Sequence, residues 1–112
     1  MPSNELPAEL AELRDRAADA AALLRAIGNE HRLLVLCLLI HFDELSVGQL
    51  LDHVGVSQSA LSQHLARMRD EGLVSSRRES QTIFYRIADP SVERVIATLK
   101  DVFCPDLPAR AP

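Results

Sequence analysis

Two thiols are the groups in this chain best suited to do chemistry. Cys37 sits in the apolar run "LLVLCLLI" and Cys104 in "DVFCPD"; there are no other cysteines. A thiolate is a nucleophile and a metal ligand, so each residue's surroundings decide what it can do. The apolar run disfavours the thiolate at Cys37, and the negative end of a helix disfavours it at Cys104. His41 follows Cys37 by four positions and Lys100 precedes Cys104 by four. At that helical spacing each could face its thiol and offset the penalty. From chemistry alone, Cys37 reads as a small core hydrophobe, the ordinary state of a free cysteine. Cys37, His41 and Cys104 could also be three ligands of one metal ion.

A second constellation lies between Ser57 and Glu71. On a helical wheel Leu61, Leu65 and Met68 share one face. Ser59, Gln63 and Ala66 lie opposite, with Ser62 and Arg69 on one flank and Arg67 on the other. Glutamine can bond adenine bidentately and serine can donate or accept, so this face suits the reading of base edges. Arg67, Arg69, Arg77 and Arg78 suit phosphates, and the last two could carry a wing over the minor groove. Ser57 and Gln58 at the start of the helix, and Gln81 between the strands, complete the candidate DNA-contacting set. His64 is included at its edge, although it flanks the apolar face and reads better as a packed or capping histidine.

The elements that must position these groups follow from periodicity. Leu10, Leu13, Ala17, Ala20, Ala21, Leu24 and Ile27 recur at helical spacing from Pro7. Gly28-Asn29 breaks that helix, and Asn29 can cap a second one running to about His41. The second helix is apolar nearly all round, so it is expected to be the buried centre. Ser46 can cap a short third helix ended by Gly55, and Ser57 a fourth ended by Gly72. "LVSSRRESQTIFYRI" reads as two strands in which Ile83, Tyr85 and Ile87 alternate. With no Asn-Gly signal, the polar "RRESQ" is expected to join them through a loop longer than two residues. Val92, Val95, Ile96, Leu99, Val102 and Phe103 mark a last helix that Pro105 stops.

The expected fold is mainly α with a small β-hairpin: a winged helix-turn-helix of five helices and a two-stranded wing. Residues 7–104 form the DNA-binding and dimerisation domain, between a disordered N-terminus (1–6) and a flexible C-terminal tail (105–112). The chain of 112 residues suits one domain whose surface share is high, so a dimer is compatible. No signal peptide or membrane-length apolar run is visible, so a cytoplasmic protein with no membrane partner is expected. There thiols stay reduced, and any bridge would be regulatory.

The net charge of −4 argues mildly against nucleic acid. Yet residues 57–86 carry five arginines against three acids, while the remainder holds seven bases against thirteen acids. No Gly-rich phosphate loop, nucleophile elbow or telling acid pair suggests an enzyme or a cofactor. A winged helix used only for protein contacts is the remaining alternative.

"ELSVGQLLDHVGVSQSALSQHLARMRDEGLVSSRRESQTIFYRI" resembles the ArsR family of winged-helix regulators. "SQSALSQHL" matches its recognition helix and "GNEHRLLVL" the entry to its second helix. The resemblance covers about residues 20–104 and implies a homodimer, built from the first and last helices, on a two-fold-symmetric double-stranded operator. Many members bind metals, through Cys-x-Cys at the third helix or Asp and His along the last. Here Ser46-Val47-Gly48 and "PSVERVIATLKDVFC" lack those thiols and imidazoles. A cysteine in the second helix and one ending the last is instead the pattern of a dithiol branch, the HlyU, BigR and SqrR type. It implies redox roles for Cys37 and Cys104. Persulfide, polysulfide or oxidant would link them by a disulfide or polysulfide, and operator DNA would be released. A metal-responsive repressor is the alternative.

Overall fold

The structure is a computed structural model and describes residues 7–108. The expectations for residues 1–6 and 109–112 lie outside it. Among the described residues the element order is α1 (Ala8–Ile27), α2 (Glu30–Phe42), β1 (Leu45–Ser46), α3 (Val47–Val54), α4 (Gln58–Asp70), β2 (Val74–Glu79), β3 (Thr82–Ile87) and α5 (Pro90–Phe103).

Each helix start has a local cause. Asn29 accepts from the amides of His31 and Arg32 and so caps α2. Ser46 and Gln49 form a reciprocal capping box at α3. Ser57 caps α4 through the Ala60 amide, and Asp89 caps α5, with Pro90 in its first turn. Between α1 and α2 the turn is held by Arg32, whose Nε donates to the Ala26 carbonyl at 2.8 Å. A side chain on Gly28 would meet the Leu24 carbonyl oxygen at 2.8 Å, so the turn needs a glycine there.

Leu36, Leu39, Leu50, Leu61, Leu65, Met68 and Ile96 are fully buried and form one core. Helix α2 fills the centre only on its Val35, Leu36 and Leu39 side; Leu34 and Phe42 are exposed and Cys37 is half-buried. Helix α2 is thus the expected buried centre on one side, and its other side faces a cleft shared with α5. Helix α1 buries only Ala26 and Ile27 at its end, and Leu13 and Leu24 stand exposed along it.

The wing is the expected two-stranded hairpin of β2 and β3. A third strand joins its sheet, in the order β1-β3-β2, because Leu45 pairs with Tyr85 and Ser46 with Phe84. The hairpin loop is shorter than expected. The hairpin is tight: Glu79 pairs with Thr82, leaving only Ser80 and Gln81 as the turn. Ser80 takes the positive φ of 58° that such a turn demands, in place of the usual glycine or asparagine. Arg77, Arg78 and Glu79 therefore belong to β2 and not to a loop.

Beyond α5 the chain turns back. The Leu107 amide donates to the Cys104 carbonyl at 3.1 Å, and Lys100 Nζ to the Leu107 carbonyl at 2.6 Å.

Leu36→Ala should cost about 2–5 kcal/mol in a denaturant titration, since it opens a cavity where no water reaches. A loss below about 1 kcal/mol would contradict the placement of α2 at the centre of the core.

Candidate functional site

The helix-turn-helix is built by α3 and α4, joined across Gly55, whose φ of 75° allows the sharp reversal. Leu61, Leu65 and Met68 anchor α4 to the core. That anchoring leaves Gln58, Ser59, Ser62 and Gln63 exposed together. Ser57 is occupied as the cap, and its Oγ lies 3.3 Å from Ser59 Oγ.

The cations around this face are not equivalent. Arg67 Nε donates to Glu71 at 3.2 Å one turn on. Arg69 and Arg78 are exposed and, among the described residues, make no ion pair. Gln81 is exposed at the tip of the wing. Arg77, expected beside Arg78 as a phosphate contact, is held elsewhere. Its Nε and Nη2 donate to the two Glu44 oxygens at 2.9 and 2.7 Å, and Nη1 to Glu79 at 2.8 Å. Its guanidinium also lies 4.5 Å from the centre of the Phe84 ring. The Arg77 hydrogen bond holds the Glu44 carboxyl below the usual carboxylate range, and the same bonds raise Arg77. A depressed carboxylate keeps the pair intact at neutral pH and releases it only as pH falls through the lowered value.

His64 is half-buried on the flank of α4, its ring centre 6.2 Å from that of His31 at the start of α2. Burial first, then Arg32, His31 and Arg67, lowers its pKa. It packs beside His31 and is less exposed than Gln58, Ser59, Ser62 and Gln63.

The thiols meet in a different place. Helices α2 and α5 enclose a cleft of about 510 Å³ whose walls include Cys37 and His41 on one side and Lys100 and Cys104 on the other. Leu33, Ile40, Ile96, Leu99 and Phe103 make most of the remaining wall apolar. Burial, with nearby Cys104 adding to it, pushes the Cys37 thiol above its ordinary range. Cys104 is exposed. Lys100, considered for support of Cys104, is committed to the Leu107 carbonyl and to Asp101. His41 Nδ1 is buried with no hydrogen-bond partner among the described residues, and its ring stands edge-on to Phe42. The three-ligand set of Cys37, His41 and Cys104 is not formed. Among the described residues no three His, Cys, Asp or Glu side chains are grouped to hold a metal ion.

Sequence reasoning missed Glu44 and the Leu107 carbonyl as partners. Glu44 lies thirty-three positions from Arg77, a separation at which no periodicity signals contact.

A capped helix with an exposed Ser/Gln face, set behind a short helix and beside a β-wing, defines a winged helix-turn-helix DNA-binding protein. The chain belongs to the arsR family of bacterial regulatory proteins, whose family pattern matches residues 29–76. It is 53% identical over 97 residues to the HTH-type transcriptional regulator YgaV of Escherichia coli, covering 87% of this chain and 98% of that protein. Reduced HlyU from Vibrio cholerae superposes with a TM-score of 0.77 at 47% identity, covering 83% of this chain and 97% of that one. The transcriptional repressor BigR from Xylella fastidiosa gives 0.77 at 34%, covering 84% and 95%. The protein is accordingly a transcriptional regulator that binds double-stranded DNA, and not an enzyme. No described helix is long and apolar enough to cross a membrane.

Exposure and burial together rank the thiols. Iodoacetamide at pH 7 should alkylate Cys104 about tenfold faster than Cys37, as read by peptide mass mapping. The Cys37 rate should climb as pH is raised beyond the ordinary thiol range. Equal rates at pH 7 would contradict the burial assigned to Cys37.

Proposed function

We propose that this protein is a dimeric, repressor-type regulator whose reduced form binds an operator. On this reading it releases DNA when Cys37 and Cys104 become linked. The observation that carries it is that two cysteines sixty-seven positions apart line one cleft between α2 and α5. The reduced state of the similar HlyU structure agrees with a redox reading.

The chemistry divides between the thiols. Exposed Cys104 attacks first. Its thiolate takes the terminal sulfur of a persulfide RSSH, the donor's S–S bond breaks, and RSH leaves. The Cys37 thiolate then attacks the Cys104 sulfur of the new persulfide, forming a Cys37–Cys104 disulfide and expelling hydrosulfide. If a second donor extends Cys104 before closure, attack by Cys37 on the middle sulfur leaves one extra sulfur in the bridge. Such a bridge tolerates a wider gap than a disulfide, which needs Cα atoms within about 7 Å. An ordinary oxidant of two thiols would give the disulfide directly. In a cytoplasm that keeps resting thiols reduced, the bridge is a signal and not a structural support.

The consequence for DNA runs through the helices that carry the cysteines. α2 packs on α3 and on β1, while α5 is the last helix. We assign the dimer to α1 and α5, on which Leu10, Leu13, Leu24, Val102 and Phe103 are exposed. Two copies joined there would present two α4 helices to an operator with two-fold symmetry. Tying α2 to α5 changes the spacing or mobility of those helices, and such coupling is typically worth about 1–3 kcal/mol.

At the DNA, Gln58, Ser59, Ser62 and Gln63 read bases, and Arg69, Arg78 and Gln81 contact the backbone from α4 and the wing. Arg67 shares its charge with Glu71, so its contribution to phosphate binding is smaller.

Cys37→Ser and Cys104→Ser should each bind DNA like the parent when reduced and fail to release it with a persulfide donor, in a fluorescence-anisotropy titration. Release by either single variant would overturn the dithiol mechanism. In titrations at several salt concentrations, Arg78→Ala should weaken all sequences alike and lower the salt slope by about 0.9. Gln63→Ala should keep the slope and discriminate base changes less, by about 1–3 kcal/mol. A reversed pattern would reassign the two residues.

A further inference from the structure

We infer that Arg77 and Glu44 form a clamp that positions the wing against the reading unit, and that Arg77 serves DNA binding through this clamp and not as a phosphate ligand. The inference rests on the DNA-binding reading above, with β2 and β3 as the wing.

The wing needs such a device. Its hairpin projects beyond the core, and a two-stranded hairpin alone is marginally stable in water. The third strand contributes two pairs only, Leu45 with Tyr85 and Ser46 with Phe84. Glu44 immediately precedes that strand, and Ser46 at its end caps α3. A bond from β2 to Glu44 therefore spans the whole sheet and ends at the corner from which the helix-turn-helix starts.

Arg77 makes that bond in a form that fixes direction as well as distance. Its fork meets both carboxylate oxygens of Glu44, a bidentate geometry that a point charge cannot copy. Glu79 holds the remaining Nη. The Phe84 ring, directly opposite Arg77 in the strand register, lies against the guanidinium. Three of its five N–H donors are engaged. Both carboxylates already take up the Arg77 guanidinium, which leaves it less charge to offer a phosphate. Arg78, the next residue, points to the other face of the strand, as alternation requires. It is exposed and free of ion pairs among the described residues.

The two roles predict opposite signs for one substitution. If Arg77 held a phosphate, Glu44→Gln would remove a competing acid and tighten binding. If Arg77 is a clamp, Glu44→Gln weakens it.

The test uses the full-length reduced protein and a duplex enriched on it from a randomised pool. Dissociation constants are measured at several salt concentrations for Glu44→Gln, Arg77→Gln, Arg77→Lys and the double Glu44→Gln/Arg77→Gln variant. Each single change should weaken binding about fivefold, the double no further. Salt slopes should match the parent's, since no phosphate contact is lost. Arg77→Lys should fail like Arg77→Gln, although it keeps the charge. Thermal unfolding should stay near the parent's, because exposed ion pairs add little to stability. Tighter or unchanged binding by Glu44→Gln, a slope lowered by about 0.9 in Arg77→Gln, or parental binding by Arg77→Lys would each overturn the clamp. A parent that enriches no duplex would overturn the DNA-binding reading itself, and the clamp with it.

Discussion

The structure depends on α2 being packed on two sides for two purposes. Toward the core, Val35, Leu36 and Leu39 are shut away from water beneath the helix-turn-helix and the sheet. Toward α5, Cys37 and His41 line an apolar cleft with Lys100 and Cys104. A helix with only polar groups on its second side could not pack there, and one fully buried on both sides would offer no chemistry. Apolar character nearly all round, interrupted by one thiol, is what both demands produce together.

From this helix the two ends of the protein become mechanically related. Residues just beyond its C-terminus form the corner that starts β1, and Glu44 at that corner holds Arg77 of the wing. Ser46 then caps α3, which leads through Gly55 to the reading helix α4. Helix α2, packed against α5, is thus followed directly by the residues that start the helix-turn-helix. The reading helix is fixed to the core by close-packed Leu61, Leu65 and Met68. Half-burial in the cleft pushes the Cys37 thiol up, whereas Cys104 is exposed.

Much of this was legible in the sequence, for local reasons. Asn29, Ser46 and Ser57 announce helix starts because a cap is a contact between residues two or three apart. The inward face of α4 is legible because 3.6-residue periodicity encodes it. What escaped has equally physical causes. β1 is two residues long, too short for alternation to show. The turn at Ser80-Gln81 uses a serine where a glycine would have signalled a positive φ. Glu44 and Arg77 are joined only by the sheet, so the charge of Arg77 looked available for phosphate. The shared cleft of Cys37 and Cys104 was suggested by family resemblance; residue spacing alone does not yield it.

The central claim is that these two thiols form one switch. The most direct test measures intact mass and operator binding on the same samples, before and after a persulfide donor, with peroxide in parallel. A linked chain is two hydrogens lighter, plus one sulfur for each atom retained in the bridge. The account predicts that this change maps to a Cys37–Cys104 cross-link within one chain and rises in step with loss of DNA binding. DNA release while both thiols remain free, or a complete cross-link with DNA still bound, would contradict it.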